Sequence, residues 1–221
     1  MKSLLIASVA LTALTEGAIA ADAGVSPGIA PAPAAVAYDW SGPYLGIQGG
    51  GTYVRSRIFD QYGGDYQKFG GPVLGIFGGY NWRASNLVYG LDGSIGYRFG
   101  ENTIHIEGGP GEMETKLGWE GSLRGRIGAD MGAFLPYVAA GVTATQLRTY
   151  WPLGHVARGA TLVGWTAAIG ADVKVTNQVF LRAEYAYSNY SSKKLEYCGP
   201  ICSMSYRPQT HDFLMGVGYK F

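Results

Sequence analysis

The sequence predicts an all-β fold, namely an eight-stranded antiparallel transmembrane β-barrel with four long outer loops and three short periplasmic turns. Three observations support this prediction. Apolar or aromatic residues alternate with small or polar residues along eight segments of the chain. The connections between these segments are alternately long and short, which is typical of barrels in bacterial outer membranes. The 221 residues include 16 Tyr, 8 Phe and 5 Trp, and this aromatic content argues against a disordered glycine-rich polymer despite the 35 Gly.

The amino-terminal residues predict export and a tether that precedes the barrel. Lys2 supplies the positive charge of a signal peptide, and a mainly apolar stretch over residues 4–14 follows it. Residues 18–20 have the small-x-small pattern of a leader-peptidase site, so we expect cleavage between Ala20 and Ala21. The next residues are rich in Ala and Pro, as extended linkers are. The predicted divisions are a signal peptide at 1–20, a periplasmic tether at 21–37 and the barrel domain at 38–221.

Alternation with a period of two places the strands. From Leu87, odd positions such as Tyr89 and Leu91 are apolar or aromatic, whereas most even positions are small or polar. This pattern predicts a strand with one apolar face, and in the fourth strand Leu117 and Trp119 are predicted to share that face. The residues of the fifth strand fit either face, so its facing stays open. The predicted strands are 42–54, 71–82, 86–99, 114–129, 133–148, 159–174, 178–189 and 209–221.

The lengths of the connections predict which end of the barrel faces outwards. The connections after the first, third, fifth and seventh strands are long, and the others are short. Because the tether places the start of the first strand in the periplasm, we expect the short turns there and the long loops outside. The predicted outer loops are 55–70, 100–113, 149–158 and 190–208, and the predicted turns are 83–85, 130–132 and 175–177.

A soluble eight-stranded barrel of the lipocalin kind is an alternative with the same period. Such a barrel would direct its apolar face inwards and its charges outwards. Aromatic residues near the strand ends lie on the apolar face, and the aromatic girdles at a membrane interface require that placement. The aromatic pattern therefore favours the membrane barrel. Examples are Tyr80, Trp82, Tyr97, Trp119 and Tyr219.

Charged residues occupy polar positions of the predicted strands and should therefore face the lumen. An enzyme would use Glu120 or Glu184 as a general base beside an arginine. We favour a lumen packed by compensating ion pairs, because side chains can fill the interior of eight strands and ions removed from water must be paired. The predicted lumen charges are Asp92, Arg98, Lys116, Glu120, Arg124, Arg126, Asp172, Lys174, Arg182, Glu184, Asp212 and Lys220.

The cysteines and histidines give weaker signals. Cys198 and Cys202 lie in the fourth predicted outer loop, where oxidising surroundings favour a structural disulfide. His105 and His155 fall in predicted outer loops and leave an axial hemin contact open. Their surroundings lack cysteine or acidic residues at ligand spacing, so we expect no zinc site. The formal net charge of +1 offers no electrostatic attraction for nucleic acid.

Several short motifs resemble those of a known protein family. Residues 39–46 (DWSGPYLG) open the first strand, residues 119–128 (WEGSLRGRIG) follow in the middle, and residues 218–221 (GYKF) end the chain. In their order and spacing they resemble the small eight-stranded outer-membrane barrel proteins of alphaproteobacteria, known as porin-family or outer-surface proteins. The resemblance implies an abundant, surface-exposed and often antigenic protein, with hemin binding or weak porin activity in some relatives. It also implies that Tyr219 and Phe221 act as a signal for the barrel-assembly machinery.

Together, these observations predict a non-enzymatic integral protein of the outer membrane of a Gram-negative bacterium, with a structural and surface-display role. The expected partners are the lipid bilayer, its lipopolysaccharide and the barrel-assembly machinery, with host surface molecules as a further candidate. No cofactor and no nucleic acid are expected. A small-solute porin and a hemin-binding or adhesive surface protein are the alternative functions.

Overall fold

The computed structural model describes residues 38–60, 63–99, 101–106, 111–151, 156–196 and 203–221. No helix long and apolar enough to cross a membrane occurs among these residues. The predicted signal peptide, the tether, and Cys198 and Cys202 lie outside them. The strands are β1 (Gly42–Asp60), β2 (Gly63–Ala84), β3 (Leu87–Arg98), β4 (Glu101–Ile106), β5 (Gly111–Ala129), β6 (Phe134–Trp151), β7 (Val156–Lys174), β8 (Val179–Tyr190), β9 (Lys193–Glu196) and β10 (Ser203–Lys220).

The strands form one closed antiparallel barrel. Eight of them pair in the order β1-β2-β3-β5-β6-β7-β8-β10, and β10 pairs back with β1 from Tyr44 opposite Lys220 to Phe59 opposite Ser205. The short strands β4 and β9 follow β3 and β8 along the chain and pair with β5 and β10. Closure satisfies the backbone groups of both edge strands, which is required in hydrocarbon because it contains no water. The predicted eight-stranded antiparallel barrel is confirmed.

The outer face of the barrel wall is apolar, as it must be in a protein that contacts lipid, and polar residues lie on the inner face. Ile47 and Met215 point outwards and are 67% and 74% exposed, whereas the adjacent Gln48 and Leu214 are buried inside. The barrel strands repeat this alternation: large apolar side chains are exposed on the outer wall, and the interior contains the buried charged and polar side chains together with further apolar ones. A lipocalin would show the opposite arrangement, so the membrane barrel is the correct alternative.

The structure settles the facing of the fifth barrel strand, β6. Leu135, Tyr137 and Ala139 are buried in the interior, whereas Val138 and Val142 are exposed on the outer wall. The odd positions of this strand therefore point inwards. Sequence could not decide the question because Pro136 and the run of small residues at 138–141 (VAAG) fit either face.

A β-bulge in β5 overturns one predicted lumen residue. Two residues of β5, 118 and 119, oppose the single residue Gln146 of β6, and this insertion inverts the alternation beyond it. Leu117 is consequently buried inside the barrel, and Lys116 lies on the outer face opposite the exposed Arg148. The predictions that Lys116 faces the lumen and that Leu117 faces lipid are wrong, because a strict period of two cannot anticipate an inserted residue.

Paired strand replaces much of the predicted outer loops. β1 and β2 stay paired as far as Asp60 opposite Gly63, so the predicted loop 55–70 is largely a β-hairpin. The predicted loops 100–113, 149–158 and 190–208 also contain strand. Polarity alternates weakly in these segments, whereas backbone pairing continues because it needs no apolar face. The connections at the opposite end are short, as predicted, at residues 85–86, 130–133 and 175–178. We call the two ends of the barrel the hairpin end and the turn end.

Candidate functional site: the interior of the barrel

An aromatic plug closes the turn end of the barrel. The indole nitrogen Nε1 of Trp40 donates a hydrogen bond to the carbonyl oxygen of Gly132 at 3.0 Å, and Nδ2 of Asn81 donates to the carbonyl oxygen of Trp40 at 3.2 Å. Trp40 also meets the ring of Phe180 edge to face, with 6.1 Å between the ring centroids. These contacts hold the segment before β1 inside the barrel mouth. The plug consists of Tyr38, Trp40, Tyr44, Phe77, Val88, Leu135 and Phe180.

Beyond the plug, six charged side chains form what we call the central network. Arg182 binds two carboxylates at once, because its Nη1 lies 2.8 Å from Oδ2 of Asp92 and its Nε lies 2.8 Å from Oδ1 of Asp172. On the other side of Asp92, Nη2 of Arg124 lies 2.5 Å from Oδ1 of that residue. All of these groups are at most 3% exposed. Asp92 therefore joins two arginines that come from different strands.

Arg124, Arg126 and Glu184 complete the central network. Nη1 of Arg124 lies 2.7 Å from Oε1 of Glu184, and Nη2 of Arg126 lies 2.7 Å from Oδ2 of Asp172. Three arginines thus face three carboxylates, and the formal charges of the network sum to zero. This balance matters because an unpaired ion inside a protein costs several kcal/mol.

Two tyrosines extend the central network with their hydroxyl groups. The hydroxyl of Tyr44 donates to Oδ2 of Asp92 at 2.8 Å and accepts from Nη1 of Arg126 at 3.2 Å. The hydroxyl of Tyr137 donates to Oε2 of Glu184 at 2.7 Å. Glycines make room for both rings, since a Cβ on Gly79 would lie 2.6 Å from the Tyr44 hydroxyl and one on Gly170 would lie 2.7 Å from that of Tyr137.

A second group of charges, the Arg98 cluster, lies farther towards the hairpin end. Nη2 of Arg98 lies 2.8 Å from Oδ2 of Asp212 and also contacts Oε2 of Glu120. The same nitrogen is 3.4 Å from Oγ1 of Thr210. One arginine therefore faces two carboxylates, so the formal charges of this cluster do not balance. Within the described residues, Nε of Arg98 and Oδ1 of Asp212 have no hydrogen-bond partner.

Apolar side chains fill the interior beside and beyond the Arg98 cluster. Val54, Leu117, Leu147 and Leu162 point inwards and are at most 3% exposed. Leu117 and Leu147 lie opposite each other in the register of β5 and β6. From the turn end to the hairpin end, the interior thus contains an aromatic plug, a balanced charge network, an unbalanced charge cluster and an apolar layer.

The structure places the predicted lumen residues in four locations. The central network and the Arg98 cluster contain all of them except Lys116, Lys174 and Lys220. The ammonium groups of Lys174 and Lys220 lie 4.8 Å and 5.6 Å from the ring centroid of Tyr38 at the turn end. Lys116 is on the outer face. Sequence reasoning missed the plug residues Tyr38 and Trp40, although two aromatic residues just after an Ala/Pro-rich stretch were a usable signal.

The structure places both candidate general bases, Glu120 and Glu184, in ion pairs with arginines. Both carboxylate oxygens of Glu184 are already engaged by Arg124 and Tyr137. The part of the chain that the structure describes holds no group of three or more His, Cys, Asp or Glu residues able to bind a metal ion. The side chains of His105 and His155 are not among those described. On the outer wall of the turn end, the rings of Tyr219 and Phe221 pack edge to face, with centroids 5.1 Å apart.

The known proteins that this chain resembles are outer-membrane proteins. The sequence profile described as "Outer membrane protein beta-barrel domain" matches residues 25–221. The chain is 33% identical to the 25 kDa outer-membrane immunogenic protein of Brucella melitensis, over 100% of this chain and 99% of that protein. It is 35% identical to a 22 kDa outer membrane protein of Rhizobium leguminosarum, over 86% of this chain and 82% of that protein. Among solved structures it resembles Neisserial surface protein A, with a TM-score of 0.49 and 18% identity over 82% of this chain and 98% of that one.

Proposed function

This chain belongs to the family of outer-membrane β-barrel proteins, and we propose that it works as a sealed barrel that anchors and displays its hairpin end at the cell surface. The protein is an integral component of a Gram-negative outer membrane. The observation that carries the proposal is the filling of the interior by the plug, the two charge groups and the apolar layer. Surface display is the role that remains for a barrel without a conduit.

Charge pairing supports the sealed state. A conducting pore needs a continuous column of water, and its charged wall residues would face that water. Here Arg124 and Arg182 both donate hydrogen bonds to Asp92 across the lumen, so these charged groups bind one another. Opening a path would separate these ions and would require each to be hydrated again. The central network is therefore expected to block the lumen to water and ions.

The proposed role also requires that the chain is exported and that the hairpin end faces outwards. Residues 1–20 direct export and are removed, and the tether keeps the turn end in the periplasm. The terminal aromatics Tyr219 and Phe221 lie on the lipid-facing wall, and we expect the barrel-assembly machinery to recognise them there. The hairpin end then extends beyond the outer leaflet, in reach of lipopolysaccharide and of host surface molecules. We expect neither catalysis nor a cofactor.

Cysteine labelling on intact cells tests this orientation. In a chain with Cys198 and Cys202 replaced by serine, single cysteines are introduced by Ser191→Cys between β8 and β9 and by Met131→Cys in a turn, both at exposed positions. A membrane-impermeant maleimide added outside should label the first variant and spare the second until the outer membrane is disrupted. Labelling of only the turn position would reverse the proposed orientation.

A further inference from the structure

The Arg98 cluster carries one more negative than positive charge in a part of the interior that is almost closed to water. Nη2 of Arg98 contacts Glu120 and lies 2.8 Å from Oδ2 of Asp212, so two carboxylates share one nitrogen atom. Carboxylates this close repel each other, and a buried ion without a counter-ion is strongly unfavourable. Arg124, the next arginine of β5 beyond Glu120, already faces carboxylates of the central network. The cluster therefore requires one further positive charge.

Two buried oxygen atoms beside the cluster have no hydrogen-bond partner among the residues that the structure describes. They are Oδ1 of Asp212 and Oγ1 of Thr52. Thr52 of β1 lies directly opposite Asp212 of β10, and both side chains point into the lumen, where these residues are 7% and 3% exposed. Directly opposed residues of antiparallel strands have Cβ atoms about 4.5–5.5 Å apart. One small ligand can therefore contact both oxygen atoms.

Three kinds of ligand could occupy this place, and they differ in what they supply. A water molecule could contact both oxygen atoms but would leave the excess negative charge. A proton on Glu120 would remove that charge but would leave Oδ1 of Asp212 and Oγ1 of Thr52 without a partner. A monovalent metal cation does both, because hard cations prefer oxygen ligands. A divalent ion would replace the excess of one negative charge by an excess of one positive charge.

We propose that the Arg98 cluster binds one small monovalent metal cation such as sodium, with Oδ1 of Asp212 and Oγ1 of Thr52 as direct ligands. Glu120 contributes the negative charge that Arg98 does not neutralise. The side chain of Glu120 is 14% exposed, against 1% for Arg98, so space within the lumen borders the cluster on that side and can supply water as further ligands. The site does not depend on which end of the barrel faces outwards.

The position of the site gives the cation a structural role. Thr52 lies in β1 and Asp212 in β10, and the pairing of these first and last strands closes the barrel. A cation that binds one oxygen atom from each strand joins them across that seam. Because the cation binds only the folded barrel, it should raise the stability of the barrel in proportion to the logarithm of its concentration above saturation.

Thermal unfolding of the refolded full-length chain tests the site. The protein is held in micelles of a neutral maltoside detergent at about pH 8, and sodium chloride replaces N-methylglucamine chloride so that the ionic strength stays constant. Sodium should raise the melting temperature by about 3–6 °C. The organic cation is too large to enter the site, so a response to sodium alone separates binding from screening.

Variants locate the site within the barrel. Thr52→Val keeps the shape and every charge, so without sodium it should melt at the same temperature as the unaltered chain or higher. It should need about 10-fold more sodium to reach half of its gain, because one ligand is lost. Asp212→Asn and Glu120→Gln should abolish the response to sodium. The matched control is Asp39→Asn, which removes an exposed carboxylate at the turn end and should keep the full response.

Three results would overturn the proposal. Equal melting temperatures in sodium and in N-methylglucamine would mean that no metal cation binds, and a rise on acidification alone would then assign the missing charge to a proton on Glu120. An unchanged response in Thr52→Val would place the sodium elsewhere. Loss of the response in Asp39→Asn would show a general effect of charge. None of these results bears on the sealed interior, which stable current steps from the unaltered protein would contradict.

Discussion

The central network and the Arg98 cluster lie in the same barrel interior but differ in charge balance. The central network sets three arginines against three carboxylates and adds two tyrosine hydroxyls as further hydrogen-bonding groups. The Arg98 cluster sets one arginine against Glu120 and Asp212, and it leaves one oxygen of Asp212 without a partner among the described residues. Removing any charged residue from the central network would therefore leave an ion of opposite charge without its full set of partners. In the Arg98 cluster, the arginine keeps one counter-ion when either carboxylate is removed.

Replacing Arg182 should have the largest effect, because it removes the cation that joins Asp92 and Asp172. Both carboxylates would keep only one arginine each in a site without access to water. We expect Arg182→Met to lower the free energy of unfolding by about 3–5 kcal/mol. The measurement is urea unfolding in lipid vesicles, with Lys193→Met at an exposed position as the control. A loss below about 1 kcal/mol would contradict a network that depends on each of its ions.

Asp212→Asn should have an intermediate effect. The amide keeps the size of the side chain but weakens the contact to Arg98 and the hydrogen bond from Thr210, whose Oγ1 lies 3.4 Å from Oδ2 of Asp212. Arg98 would still hold Glu120 as its counter-ion. We expect a loss of about 1–3 kcal/mol in the same unfolding experiment. If Asp212→Asn lowered the free energy of unfolding as much as Arg182→Met, the two charge groups would be equally sensitive to the loss of one ion.

Glu120→Gln should have the smallest effect of the three. The variant leaves Arg98 paired with Asp212, so that one cation faces one anion and the cluster becomes balanced. We expect the free energy of unfolding to change by less than about 1 kcal/mol, in either direction. Heat-modifiability on gels provides an independent measurement. Strong destabilisation would show that the barrel needs Glu120 as an anion. It would contradict the interpretation that the Arg98 cluster contains one carboxylate more than Arg98 requires.

Much of the barrel could be predicted from sequence because its physical cause is local. A lipid-facing residue must be apolar whatever its neighbours are, so the strand around Leu87 or Phe213 reveals its facing by alternation alone. The bulge at residues 118–119 could not be predicted, since it depends on how β5 fits β6 and leaves no mark in composition. The hairpin extensions were missed because strands beyond the bilayer need no apolar face.

The interior charges were predicted as a set, but their partners were not. Arg182 meets Asp92 across 90 positions of sequence, and Arg98 meets Asp212 across 114. Such contacts follow from closure of the barrel and from the register of every strand between the partners. Alternation gives the facing of each side chain but not its height in the barrel, so the division into a balanced and an unbalanced group became visible only in three dimensions.

Ion conductance in planar lipid bilayers shows whether the plug, the two charge groups and the apolar layer seal the barrel. Refolded, unaltered protein should add no discrete current steps to those of the empty bilayer. The double variant Arg124→Ala/Glu184→Ala, which removes an ion pair and its volume, should produce brief, irregular openings in the same bilayers. Stable steps of constant size from the unaltered protein would contradict the sealed interior and would identify the chain as a pore.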